Sequence, residues 1–296
     1  MKYTLLFLII VSLAGCGTVE PPKQELQTIP VDLFGMSYYD SRYHFIKVEL
    51  PSKKITVLTE SDSIQTGTTN AAALNSDANE YYFFSNHRIF VVNTATGEFT
   101  KSFKLAYDAD LLVYNPFSKK LNALSHIDVY YHFIEIDVQV EKIRVGPALK
   151  DVVNVNEGSA SMNSTSATYY FSTPANYVTI NAIDANSGTI IKSYDTLRSV
   201  TAKGVVSVSD TTLFGMTSLL TGNRLFIYNT ALRKIRMLAP TDGKMIDYSN
   251  KTIANGMYFY ARDANTLNGV DIETGVTILS ITFQNTVYNL IPVRRK

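Results

Sequence analysis

The sequence predicts an all-β chain folded as a six-bladed β-propeller of four-stranded blades. Three observations carry that expectation. A turn signature recurs six times at near-constant spacing, aromatic-rich strand segments recur between its copies, and one strand is left over at the C-terminus. The signature reads apolar, Asp or Asn, two variable residues, Thr or Ser, Gly, then an apolar strand. It is clearest at Val92-Asn93-Thr94-Ala95-Thr96-Gly97, at Ile183-Asp184-Ala185-Asn186-Ser187-Gly188 and at Val270-Asp271-Ile272-Glu273-Thr274-Gly275. Degenerate copies begin at Glu49, Asp137 and Asn229, and successive anchors stand 44, 44, 47, 45 and 42 residues apart. Asp and Asn side chains hold such turns, and Gly supplies the positive φ that closes them. A period of about 40–50 residues with several strands per unit marks a propeller blade.

Each unit reads as four strands. Around Asn229 they are 204–208, 212–216, 224–228 and 234–238. Tyr- and Phe-rich second strands recur at 80–84, 168–171 and 256–260. The first unit opens at about residue 31 with what looks like a second strand, and 286–293 remains at the other end. That C-terminal strand is expected to complete the first blade from the inside, closing the ring and removing the edges that invite aggregation. An open sandwich or two all-β domains is the architectural alternative.

Composition excludes several classes. The 296 residues are 46% hydrophobic and 18% charged, which suits a packed core and not disorder. Lys+Arg 27 against Asp+Glu 26 leaves +1 with no long basic block, so electrostatic capture of nucleic acid is disfavoured. A single cysteine rules out an internal disulfide framework and a cysteine zinc cage. Trp is absent while Tyr (19) and Phe (15) are plentiful, a bias toward strands.

The N-terminus reads as an address. Met1-Lys2 precedes an apolar run at 3–13, too short for the roughly 20 residues of a membrane span and built like a cleaved secretory signal. Leu13-Ala14-Gly15-Cys16 resembles the lipobox of bacterial lipoproteins. The resemblance implies a signal peptide at 1–15, cleavage before Cys16, and a diacylglycerol on its thiol with acylation of its amine. Each buried CH₂ of such an anchor contributes about 0.8 kcal/mol. Residues 17–29 are polar with a Pro21-Pro22 pair and read as a tether, which leaves 30–296 for the propeller. With Gly17 after the cysteine, the resemblance implies the outer membrane facing the periplasm in a two-membrane envelope. In a one-membrane envelope it implies the outer face of the cell membrane.

The segment 182–191 resembles the blade signature of quinoprotein-type and YVTN-type propellers. Bacterial lipoproteins with such propellers include the scaffold subunit of the outer-membrane barrel assembly machinery. The resemblance implies a binding or scaffold role toward an envelope protein. Where the quinoprotein repeat carries a docking Trp, this chain has Lys101, Lys192 and Leu279.

No catalytic constellation emerges, and no catalytic residue, metal site or cofactor is expected. His44, His87, His126 and His132 show no paired metal spacing. Glu157-Gly158-Ser159-Ala160-Ser161 lacks the final glycine of a nucleophile elbow. Without Trp the sialidase box is incomplete. Asp110, Glu157 and Asn285 stand at strand starts comparable to the channel carboxylates and amides of calcium-dependent six-bladed lactonases. A channel-centred enzyme or small-ligand or calcium binder is therefore the alternative, with a glycan-binding surface adhesin as another. The expected working surface is the loop face holding the blade-to-blade crossovers and the second-to-third strand turns. It presents His87, Arg88, Asp110, Tyr131, Glu157, Arg198, Lys203, Lys244 and Arg262, a mix of Tyr, Arg and charge that suits protein recognition.

Overall fold

The computed structural model describes residues 30–50, 52–61, 71–155, 160–163, 165–174, 177–198, 201–219, 222–241 and 252–294. Cys16 with the whole N-terminal segment, Glu157 and Lys244 lie outside them. The described strands pair into six four-stranded antiparallel sheets. Blade 1 contains β1 (Val31–Tyr39), β2 (Arg42–Leu50) and β3 (Lys54–Ser61). Blade 2 contains β4 (Ala71–Asn75), β5 (Glu80–Ser85), β6 (Arg88–Asn93) and β7 (Phe99–Lys104). Blade 3 contains β8 (Asp110–Asn115), β9 (Lys120–Ile127), β10 (Tyr130–Asp137) and β11 (Lys142–Leu149). Blade 4 contains β12 (Ala160–Met162), β13 (Thr168–Thr173), β14 (Tyr177–Asp184) and β15 (Thr189–Arg198). Blade 5 contains β16 (Thr201–Ser209), β17 (Thr212–Leu219), β18 (Gly222–Asn229) and β19 (Lys234–Pro240). Blade 6 contains β20 (Thr252–Ala254), β21 (Met257–Asp263), β22 (Thr266–Asp271) and β23 (Thr277–Thr282).

The last strand, β24 (Thr286–Arg294), pairs with β1 as the innermost strand of blade 1, as the sequence predicts. The Ser37 hydroxyl helps hold it by donating to the Thr286 carbonyl at 3.0 Å. The innermost strands β24, β4, β8, β12, β16 and β20 touch in that order, and β20 meets β24. The chain is therefore a closed six-bladed β-propeller. Its core is six separate hydrophobic clusters, one at each blade interface.

The recurring turn works as its chemistry dictates. The Asn93 side chain accepts from the amides of Ala95 (2.8 Å) and Thr96 (3.1 Å), and the Gly97 amide returns to the Asn93 carbonyl (2.7 Å). Asp271 repeats this with Glu273, Thr274 and Gly275. The strong copies all close even-numbered blades, and there is a spatial reason. A Cβ on Gly97 would lie 2.6 Å from the Leu58 Cβ, and one on Gly275 would lie 2.5 Å from the Leu238 Cβ. Leu58 and Leu238 belong to the outer strands of blades 1 and 5, so these turns press against the preceding odd blade. The degenerate turns place Lys53, Glu141 and Arg233 at positive φ instead.

The Tyr-rich second strands follow the same two-blade rhythm. Tyr81, Tyr169 and Tyr258 are fully buried in blades 2, 4 and 6. Their hydroxyls donate to the carbonyls of Asn289 (3.0 Å), Leu111 (2.7 Å) and Gly204 (2.6 Å), each on the inner strand of the preceding blade. All three acceptors have positive φ and sit where the inner strand's register shifts against its neighbour. A bulge leaves a backbone group without a ladder partner, and the tyrosine supplies one. The ring is thus three two-blade units: 1 with 2, 3 with 4, and 5 with 6.

Two outcomes are expected in chemical denaturation. Tyr169→Phe and Tyr258→Phe each remove the hydroxyl donor to a buried carbonyl and lower stability by about 1–3 kcal/mol, whereas a change within a few tenths would disprove the clamp. Gly256 has φ +73 with nothing within 4 Å of an added Cβ. Gly256→Ala therefore reports the backbone cost alone, about 1–2 kcal/mol, and Gly275→Ala must be clearly more destabilising because it also collides with blade 5.

Candidate functional site

Each inner strand runs from an upper face, which carries the crossovers and second-to-third strand turns, to a lower face, which carries the other turns. The sequence-derived candidates belong to the upper face. His87 sits at positive φ in its turn and pairs with Asp108 of the next crossover at 2.9 Å, both side chains exposed. Arg88 opens β6 and donates to Ser102 on the adjacent strand (3.0 Å). Tyr131 packs on the blade 3–4 core, with His126 edge-on at 5.2 Å. Arg262 ends its blade against Asp263 (3.0 Å). Burial raises the Asp263 pKa, but bonds from Thr266, the Asn265 amide and Arg262 outweigh it and leave it lowered.

Three further candidates are also strand residues with partners of their own. Asp110 starts β8 beside the bulged Leu111, and after burial its charge further raises the Tyr169 pKa. Arg198 is paired with Tyr177, and Lys203 with Met216. The loop expected over 198–203 is thus mostly strand, because hairpin pairing runs on through its Thr-rich flanks. Among the described residues, no three His, Cys, Asp or Glu side chains gather as a metal cluster. His44 is buried and stacked on Tyr39 at 3.5 Å, and His132 Nδ1 lies 3.0 Å from the Gly146 carbonyl, so both serve their own blades.

What the sequence reading missed on this face is apolar. Val153 is 90% exposed and Val129 74%, Tyr107 is exposed, and Tyr130, which the sequence does place in a turn of this face, is exposed next to Val129. These residues occupy the turn at the upper end of blade 3 and the two crossovers that flank it. Four large apolar side chains gathered at one end of one blade differ from the scattered exposure that needs no explanation. A length-two run such as Val129-Tyr130 between Asp128 and Tyr131 was visible in the sequence, but its exposure was not.

The lower face holds a cavity of about 1580 Å³. It is the mouth of the central channel, lined by the inner strands of all six blades and continued as a groove between blades 1 and 2. None of the described sequence-derived candidates lines it. Among the described residues its inner-strand lining carries no charge; the charged lining residues are Asp32, Lys47, Glu49 and Lys54, all from blade 1. Asp32 and Glu49 face each other across β1 and β2, a like-charge pairing that is unfavourable by itself. Lys47 resolves it, reaching Asp32 at 2.9 Å and Glu49 at 3.2 Å. Its pKa is raised, chiefly by the hydrogen bond to Asp32.

No protein-family model matches the chain, and no curated protein matches it. Solved structures do. TolB from Acinetobacter baumannii is similar with TM-score 0.65 and 13% identity over 89% of this chain, which spans 65% of that one. A chain of a nidogen/laminin complex gives TM-score 0.66 and 11% identity, covering 89% of this chain and 98% of that one. A Bacteroides caccae protein of unknown function gives TM-score 0.62 and 12% identity, covering 90% and 100%. At these identities the likeness is one of fold, and the class it defines is the six-bladed β-propeller.

Lys47→Met should destabilise the protein by removing the ammonium that bridges Asp32 and Glu49. A raised pKa means the lysine's contribution is complete below its ordinary value of 10.5 and lost as pH climbs through the folded-state value. The stability gap between wild type and variant, followed by urea unfolding, is expected to be constant at pH 7–9 and to narrow above pH 10.5. A gap that widens in alkali would disprove the assignment.

Proposed function

We propose that this chain is a lipid-anchored envelope propeller whose upper face binds a protein partner. The carrying observation is the exposed apolar cluster of Tyr107, Val129, Tyr130 and Val153 at the upper end of blade 3. Apolar and aromatic side chains of this kind form the centre of protein interfaces. Beside them lie the polar groups that would frame such a contact: His87, Asp108, Tyr131 and Lys150. That one of the similar structures is a complex of nidogen with laminin supports the reading, since its propeller-like chain is similar over nearly all of its length.

Anchoring at Cys16 is supported by the lipobox-like Leu13-Ala14-Gly15-Cys16. The geometry agrees with it. Pro30 leads into β1 on the lower face, since Val31 pairs with Leu50 beside the third-to-fourth strand turn. A tether leaving there would hold the upper face away from the membrane, open to a partner. In a two-membrane envelope this reading places the protein on the outer membrane facing the periplasm.

Two experiments test the two halves. A photoreactive residue at Val129, Tyr131 or Val153 is expected to give one abundant protein adduct in cells, and one at Leu232 on the lower rim is not. Loss of that adduct in Val153→Asp would tie it to the cluster, and its absence from all three upper positions in folded protein would refute the interface. For the anchor, an alkyne fatty acid fed to cells should label the wild type, and Cys16→Ser should be unlabelled and released from membranes.

A further inference from the structure

We propose that the central channel and its groove bind a long-chain anionic amphiphile, with the tail along the inner strands and the head at Lys54. The site lies on the face opposite the proposed protein interface and stands independently of that reading. The lining explains the tail. Ala72, Leu74, Val113, Met162, Val208 and Val293 come from five different inner strands, with the neutral Ser161, Ser207 and Thr252 among them, and no described inner-strand residue of the lining is charged. Val208 is 40% exposed although it sits on the innermost strand of its blade. Apolar surface held against water costs about 25 cal/mol per Å², so an apolar strand face turned toward an open channel is better satisfied by an apolar occupant than by water.

The shape and the charges explain the rest. At about 1580 Å³ the cavity exceeds the roughly 300–1,000 Å³ typical of compact small-molecule sites. It also extends sideways past Phe34 and Leu58 to Lys54 and Thr56, which suits an elongated molecule. Among the described residues charge enters from blade 1 alone, so an occupant with one polar end has one orientation. Within that flank Lys47 is closed off by Asp32 and Glu49. Lys54 stands opposite Glu49 in the β2–β3 register, yet it makes no ion pair within 4 Å among the described residues and lines the groove. It is the cation left for an anionic head.

The test is calorimetric titration of the full chain with dodecanoate kept below its micelle concentration. Saturable one-to-one binding is expected. Val208→Glu should weaken it by at least about tenfold, because it sets a charged carboxylate on the inner-strand face along which the tail would lie. Lys54→Glu, at an exposed position where misfolding is not expected, should weaken dodecanoate by about tenfold while leaving 1-dodecanol binding unchanged. Each variant's melting curve shows that it is folded, and if Val208→Glu does not fold, the Lys54→Glu comparison decides. Absence of saturable binding would overturn the proposal, as would equal affinity in folded Val208→Glu. Tighter binding of dodecyltrimethylammonium than of dodecanoate by the wild type would overturn the placement of the head.

Discussion

The bond between a buried tyrosine hydroxyl and a bulged carbonyl is the constraint on which the ring depends. A propeller blade has to turn its inner strand along the axis while its outer strands fan away. In blades 1, 3 and 5 that turn is made at Asn289, Leu111 and Gly204, each with positive φ. For a leucine such a conformation is strained by about 1–3 kcal/mol, and it leaves a carbonyl aimed out of its own sheet. Tyr169 accounts for that carbonyl from the neighbouring blade while its ring packs edge-on against Phe133 at 5.4 Å. One side chain thereby satisfies the backbone, fills the interface and fixes the angle between two blades.

The even blades have no comparable demand. Their inner strands are short, three residues each in β12 and β20, and they meet the next blade by other means. Between blades 4 and 5 the Ser207 amide donates to the Ser161 hydroxyl at 2.8 Å. Between blades 2 and 3 the ammonium of Lys101 donates to the carbonyls of Val138 (2.7 Å) and Gln139 (3.2 Å) and pairs with Glu141 (3.1 Å). Lys101 thereby docks blade 2 on blade 3 through a hydrogen-bonding cation. Its counterpart Lys192 instead lies over the Tyr194 ring at 5.0 Å, within its own blade.

Much of this fold was legible because turn chemistry is local. Asn93, Asp184 and Asp271 hold their turns through atoms two or three residues away, so their spacing could be read directly. The closing role of β24 was legible too, since a strand without a place met a blade without a strand. That glycine is kept only in alternate turns was also plain in the sequence, but its cause was not. It lies in Leu58 and Leu238, some 40 residues upstream of the glycines they crowd. The channel was illegible for a related reason. The inner strands β4, β8, β12 and β20, of three to six residues, are too short to show alternation, and bulges shift the register that decides which side chains face the axis. Lys203 read as a loop charge and is a strand residue, while Leu111, which the sequence did not single out, lines the cavity and anchors the next blade through its carbonyl.

Leu111 also shows how closely the two faces are joined. Its side chain borders the lower cavity, and its carbonyl holds Tyr169. Its predecessor Asp110 closes the crossover that carries Tyr107 and the His87–Asp108 pair to the upper surface. Among the described residues, blade 3 is therefore the one blade in which a bulge at the channel is preceded, within a few residues, by part of the exposed apolar cluster. In blade 1 the corresponding bulge at Asn289 is buried behind Tyr81, and in blade 5 the one at Gly204 lies behind Tyr258. The same clamp that closes the ring thus places the channel wall and the upper surface of blade 3 on one short, rigid piece of backbone. A propeller built from six equivalent blades would have no such privileged sector; one built from three unequal pairs does.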